Sequence, residues 1–124
     1  MTDSERSAQF WSVLVFAARQ QKLLSYDMLE KMTGIPRFAQ SRPLGNIYFY
    51  CKQEGLPHLT SIVLEQKTGW PAADEFKKGM DLPAEHRRVF IFDWLKDGSP
   101  KADDFQRARD NEDVTVPAEP IATR

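Results

Sequence analysis

The chain has 124 residues, of which 41% are hydrophobic, 28% charged and 11% aromatic, with 17 Lys and Arg against 18 Asp and Glu for a net charge of -1. That is enough apolar material for one core and too little chain for two full domains. The near-neutral balance excludes a histone-like polycation and an acidic disordered chain.

The pattern predicts a helix over residues 4–22. Phe10, Val13, Leu14 and Ala17 recur at helical spacing, and Arg6, Gln9, Gln20 and Gln21 lie off that stripe. Trp11, Val15 and Phe16 widen the apolar face, and Ser4 is the candidate cap. A second helix is predicted over 25–33, capped by Ser25 and closed by Gly34, with Pro36 preventing continuation. A third runs over 43–54, with Pro43 in the first turn, Leu44, Ile47, Tyr48 and Cys51 at helical spacing, and Gly55 as its stop. Two helices around a tight Gly-Pro turn are the order of a helix-turn-helix unit.

The β-branched and apolar run over 59–65, followed by Lys67-Thr68-Gly69, reads as a strand into a turn and so as a wing. Residues 71–80 are irregular, and a last helix is predicted over 84–96, although Val89-Phe90-Ile91-Phe92 suits a strand equally well. From Ser99 the chain turns polar, with a helical turn expected near Phe105. The expected fold is therefore α/β, mostly α. It is a single domain over 1–98 with a winged helix-turn-helix-like centre and a short β wing, followed by a mobile tail over 99–124.

No apolar run approaches the roughly 18 residues a membrane helix needs, so no membrane partner is expected. The opening Met-Thr-Asp-Ser-Glu-Arg lacks the pattern of a secretory leader. Cys51 is the only cysteine, which excludes an internal disulfide and fits a reducing, cytoplasmic setting. The two histidines, His58 and His86, are far apart and give no zinc-ligand spacing. Neither a Gly-rich phosphate loop nor a Gly-x-Ser-x-Gly elbow occurs, so no metal or cofactor is expected. Residues 1–71 hold 8 Lys and Arg against 6 Asp and Glu, and residues 72–124 hold 9 against 12. The positive surplus thus falls on the helix-turn-helix segment with Arg37, Arg42 and Lys52, where it marks either a contact face or an ordinary solvated surface.

Ser25-Tyr26, the Gly34-Ile35-Pro36 turn, Arg42-Pro43-Leu44-Gly45 and Pro57-His58 stand in order over residues 24–71. In this order and approximate spacing the segment resembles the C-terminal DNA-binding domain of the alkylguanine-DNA alkyltransferases and their alkyltransferase-like relatives. The resemblance implies a recognition helix in the minor groove, with Tyr26 helping to rotate a nucleotide out and Arg42 filling the gap it leaves. His58 stands where that family carries its nucleophilic cysteine, Leu59-Thr60 replace its His-Arg pair, and the turn before Arg42 is about two residues longer. Alkyl transfer through an activated thiolate is therefore not expected, and a binding-only relative is.

The candidate contact residues are Tyr26, Arg37, Ser41, Arg42, Tyr48, Lys52, His58 and Thr60. Tyr26 and Arg42 are expected on one solvent-reachable face, bordered by Arg37 and Lys52. Each has a plainer reading: Tyr26 as a packed ring, His58 as a surface or capping residue, and Cys51 as a small buried hydrophobe. The expected function is non-catalytic DNA binding with recognition of flipped or modified bases. The other reading is a protein-interaction or regulatory module, such as a mobile element encodes, on the same scaffold. A hydrolase or transferase using His58 ranks last, because no second catalytic group is identifiable.

Overall fold

Thr2, not Ser4, starts the first helix. In the computed structural model, which describes residues 1–77 and 79–122 apart from the side chains of 74, 77 and 114–122, α1 spans Asp3–Arg19. Thr2 Oγ1 accepts from the Glu5 N–H at 3.1 Å, and the Glu5 carboxylate accepts from the Thr2 N–H at 2.7 Å. This reciprocal box satisfies two amides, and it leaves Ser4 buried with its hydroxyl donating to Gln106 Oε1. Phe10, Leu14 and Ala18 form the fully buried stripe of α1.

Ser25 ends the two-residue strand β1 (Leu24–Ser25) and caps α2 (Tyr26–Thr33), accepting from the Met28 N–H at 3.0 Å. Gly34 closes α2 at φ 77°, a left-handed conformation that glycine adopts at little cost. A single 3-10 turn, Arg37–Ala39, leads into α3 (Ser41–Glu54), which Gly55 ends at φ 69°. The helix–turn–helix order is thus present, with α3 starting two residues before Pro43.

The expected strand over 59–65 and the wing built on it are corrected. Leu59–Ile62 is a buried 3-10 turn, and only Val63–Leu64 is extended, as β2. β2 pairs in parallel with β1, Leu24 opposite Val63 and Ser25 opposite Leu64, so no hairpin projects here. A parallel pair covered by helices is a continuous apolar run, and sequence alone does not separate it from an exposed strand.

Asp81 caps α4 (Leu82–Ile91), accepting from the Ala84 N–H. The Val89-Phe90-Ile91 segment is helical, which decides between the two readings of that run. The helix stops five residues short of Lys96. Trp94 then folds back, its indole N–H donating to Val89 O at 2.8 Å. Arg87 and Arg88 are exposed and Trp70 is half-buried, whereas Trp11 and Trp94 are core.

The expected boundary at 98 is crossed by packing. α5 (Ala102–Ala122) lies across α1 and α3 with Phe105 and Ala108 buried. Phe105 sits 5.8 Å from Trp11 and 5.4 Å from Tyr50, centroid to centroid. Arg109 Nε donates to Asn46 Oδ1 at 2.8 Å, and Gln53 Nε2 donates to Ala108 O at 2.8 Å. Residues 102–113 therefore belong to the packed body, and the side chains of 114–124 in the expected tail lie outside the described residues. Among those residues, no helix is long and apolar enough to cross a membrane.

Candidate functional site

The start of α2, the first two turns of α3, Thr60 and the segment 71–76 enclose a cavity of about 300 Å³. Each wall has a local cause. Ser25 fixes the first turn of α2, which sets Tyr26 against the segment around Ala72, and the Tyr26 hydroxyl accepts from the Ala72 N–H at 2.7 Å. The Arg37 guanidinium covers the other side of the ring at 4.0 Å and pairs with Glu65 at 3.1 Å. Tyr26 is consequently only 7% exposed, and burial is the first cause holding its hydroxyl pKa above the ordinary value.

Tyr48 and Phe49 come from α3, and Phe76 enters from the 3-10 turn Asp74–Lys77. Tyr48 meets Phe76 edge-on at 5.4 Å and stacks on His58 at 4.6 Å with an 11° interplanar angle. Gly45 also lines the cavity. A Cβ there would come within 3.2 Å of Arg109 Nη2, the side chain that covers Phe49 at 4.8 Å.

Two lining residues carry unmet hydrogen-bonding capacity. Gln40 is 1% exposed, and its Nε2 donates to Tyr26 O at 3.2 Å and Ile35 O at 3.0 Å. Two carbonyl acceptors fix which end of the amide faces them, and Oε1 has no hydrogen-bond partner. Thr60 Oγ1 is likewise buried without a partner. Both oxygens are shielded from solvent, so they lie behind the lining of the cavity and not on its surface.

Five of the eight candidate residues meet at this cavity: Tyr26, Arg37, Ser41, Tyr48 and Thr60. The other three do not line it. Arg42 is exposed and pairs with Asp3 at 3.1 Å, so the expectation of Tyr26 and Arg42 on one open face is corrected. The ring of Tyr26 is covered by Arg37, whereas Arg42 is drawn toward the start of α1. Lys52 pairs with Glu112 on α5 at 3.3 Å. His58 lies behind Tyr48 and Phe76 with Nδ1 unpartnered, its pKa held below the ordinary value by burial. Its backbone N–H donates to the buried carboxylate of Glu85 at 2.7 Å, and Glu85 in turn pairs with Arg88. Cys51 is fully buried, and burial pushes its thiol up to about 12, which removes it as a nucleophile near neutral pH.

Sequence reasoning missed Gln40, Phe49 and Phe76 as site residues. The available signal was Phe76, a lone aromatic in a polar, irregular stretch. It also missed Phe38, which lies on the turn between two lining residues and is 87% exposed. No protein-family model, curated protein or solved structure matches the chain.

Proposed function

We propose that the protein binds nucleic acid without catalysis and takes a single extruded base into the cavity between α2 and α3. The observation that carries this reading is the cavity itself. Its volume suits one planar ring system, and Tyr26, Tyr48, Phe49 and Phe76 contribute aromatic side chains to its lining. An extruded base is held in part by stacking, and aromatic side chains are the groups that such stacking uses. Extrusion also needs a wedge. The resemblance to the alkyltransferase-like proteins gives that part to Arg42, but Arg42 is off the cavity wall and ion-paired. Phe38, exposed beside Arg37, is the better wedge, since apolar side chains inserted between base steps unstack them. DNA is the proposed partner, in a reducing, cytoplasmic setting that suits a buried free thiol.

The test is fluorescence anisotropy with a regular duplex and the same duplex carrying a mismatched or alkylated guanine. The modified duplex should bind about tenfold tighter, and Phe38→Ala should abolish that preference while leaving regular-duplex binding within about twofold. Wild-type binding weaker than about 10⁻⁴ M at low salt, below the usual non-specific range, overturns the reading.

A specific observation favours the second reading, a protein-interaction module. Arg37, Arg42 and Lys52 each pair with a carboxylate, so the charge of these three cations is offset within the chain. Should the titrations fail, that module is the account that remains.

A further inference from the structure

Gly45 stands inside α3, where glycine weakens a helix relative to alanine, and its φ is not left-handed. Its place is explained by α5. A Cβ at Gly45 would come within 3.2 Å of Arg109 Nη2, so the missing side chain lets the guanidinium settle on α3. Arg109 Nε donates to Oδ1 of the buried Asn46 at 2.8 Å, and Nη2 donates to Arg42 O at 3.3 Å. The guanidinium carbon lies 4.8 Å from the centre of the Phe49 ring. Gly45 and Phe49 both line the cavity between α2 and α3, so Arg109 is fixed beside that cavity. Its remaining N–H groups have no acceptor among the described residues.

The charge of Arg109 is not met as those of its neighbours are. Arg37, Arg42 and Lys52 each pair with a carboxylate, whereas Arg109 has no ion-pair partner among the described residues. The two acceptors it does have, an amide oxygen and a backbone carbonyl, are neutral. The side chain is half-buried. Burial first and Arg42 next hold its pKa below the ordinary value, ahead of the opposing pull of Asp113, Asp3 and Glu112. A cation partly withdrawn from water beside a second cation favours an anion at its open side, and the guanidinium fork matches two oxygens of a phosphate.

We propose that Arg109 holds the phosphate of the nucleotide whose base enters the cavity, so that the site takes a nucleotide and not a bare base; this rests on the base-binding reading above. The phosphate of a nucleotide is separated from its base by the sugar. A cation that serves it therefore belongs beside the ring-binding cavity, which is where Arg109 stands. Arg37 also lines the cavity, but its guanidinium lies over Tyr26 and pairs with Glu65. The nucleotide reaches the site either as a free molecule or as an unstacked unit of a strand, and both present the same phosphate. In this arrangement α5 supplies part of the site as well as part of the core.

The experiment is a proton–nitrogen NMR titration of the full chain at matched ionic strength, read at the Arg109 Nε–H and at the backbone amides of Gly45 and Phe49. The probes are the common deoxynucleosides, their monophosphates, inorganic phosphate and a short single-stranded oligonucleotide. At least one monophosphate should bind about tenfold more tightly than its nucleoside and shift the Arg109 Nε–H. Arg109→Gln should cut that preference to within about twofold, and Arg109→Lys, which keeps the charge but not the fork, should recover only part of it. Gly45→Ala, which suits the helix but crowds the guanidinium, should reduce the preference with Arg109 still present. Arg107→Gln removes a different α5 charge, one paired with Asp104, and should leave the preference intact. An oligonucleotide binding more tightly than the monophosphates assigns the phosphate to a strand, and equal or weaker binding assigns it to a free nucleotide. Nucleosides and monophosphates that bind alike overturn the proposal and leave the base-binding reading standing. Inorganic phosphate binding as tightly as the monophosphates overturns it too, because the ring then adds nothing. No shift with any probe up to about 10 mM also overturns it, and the duplex titrations then decide the base-binding reading on their own.

Discussion

Phe105→Ala tests whether α5 is part of the folded body. Phe105 is fully buried against Trp11 and Tyr50, so the substitution removes a whole ring from the core and leaves a cavity between α1, α3 and α5. Buried Phe→Ala changes cost about 3–5 kcal/mol, the transfer term and the cavity term together. A domain of this size has roughly 5–15 kcal/mol in total, so the variant stays folded but loses a large share of its margin. With a urea slope of about 2 kcal/mol/M, the midpoint should fall by about 1.5–2.5 M. Trp11, 5.8 Å from Phe105, makes tryptophan emission a direct reporter. Phe38→Ala is the control, an exposed ring whose loss should cost no more than about 0.5 kcal/mol. If the two variants unfold at the same urea concentration, α5 is not holding the core and the reasoning fails.

Gly34→Ala and Gly55→Ala should each cost about 1–2 kcal/mol in a thermal melt, since a Cβ at either site meets nothing within 4 Å and the penalty is purely that of a left-handed backbone. Cys51, with its thiol pushed from 9.0 up to about 12, should react with a disulfide reagent about a thousandfold more slowly in the native protein than after denaturation. Intact mass should accordingly be unchanged after incubation with alkylguanine DNA. His58 has a folded pKa below its unfolded value, so the unfolded state binds more protons at mildly acidic pH. Its contribution is fully present above about pH 6.5 and is lost as pH falls below that. The urea midpoint should therefore drop between about pH 7.5 and pH 5, and His58→Gln should shrink that drop.

The α2–turn–α3 unit was legible because its punctuation is chemical. Ser25 has an oxygen for a free amide, Gly34 and Gly55 take a left-handed stop, and Pro36 cannot continue a helix. The residues 59–65 misled for a physical reason: β-branched side chains fill a buried 3-10 turn and a parallel pair as well as they fill a wing. α5 was illegible as a packing element because only two of its described apolar side chains, Phe105 and Ala108, are buried, too few for a helical period. Much of its described hold is polar, including Ser4 to Gln106 and Arg109 to Asn46, and hydrophobic periodicity cannot register such bonds. Tyr26, Arg37, Ser41, Tyr48 and Thr60 line one cavity because the α2–turn–α3 unit folds α3 back toward the start of α2. Phe76 and Gln40 join them through folding of a loop and a buried amide, neither of which has a spacing rule.

The distribution of charge constrains how the proposed nucleic-acid contact would work. A phosphate approaching Arg37, Arg42 or Lys52 competes with a carboxylate already paired there, Glu65, Asp3 or Glu112. Exchange of one anion for another yields little net attraction and little counterion release, so backbone affinity is weak and the salt dependence shallow. Affinity then has to come from the cavity, where stacking on an aromatic wall is worth about 1–3 kcal/mol per base. Extruding a well-paired base costs a few kcal/mol, and a mismatched or damaged one costs less. A strong backbone grip would hide that difference under non-specific binding. A weak grip leaves it as the deciding term, so pairing the cations internally is itself a means by which such a protein would ignore ordinary duplex and respond to bases that leave the stack easily.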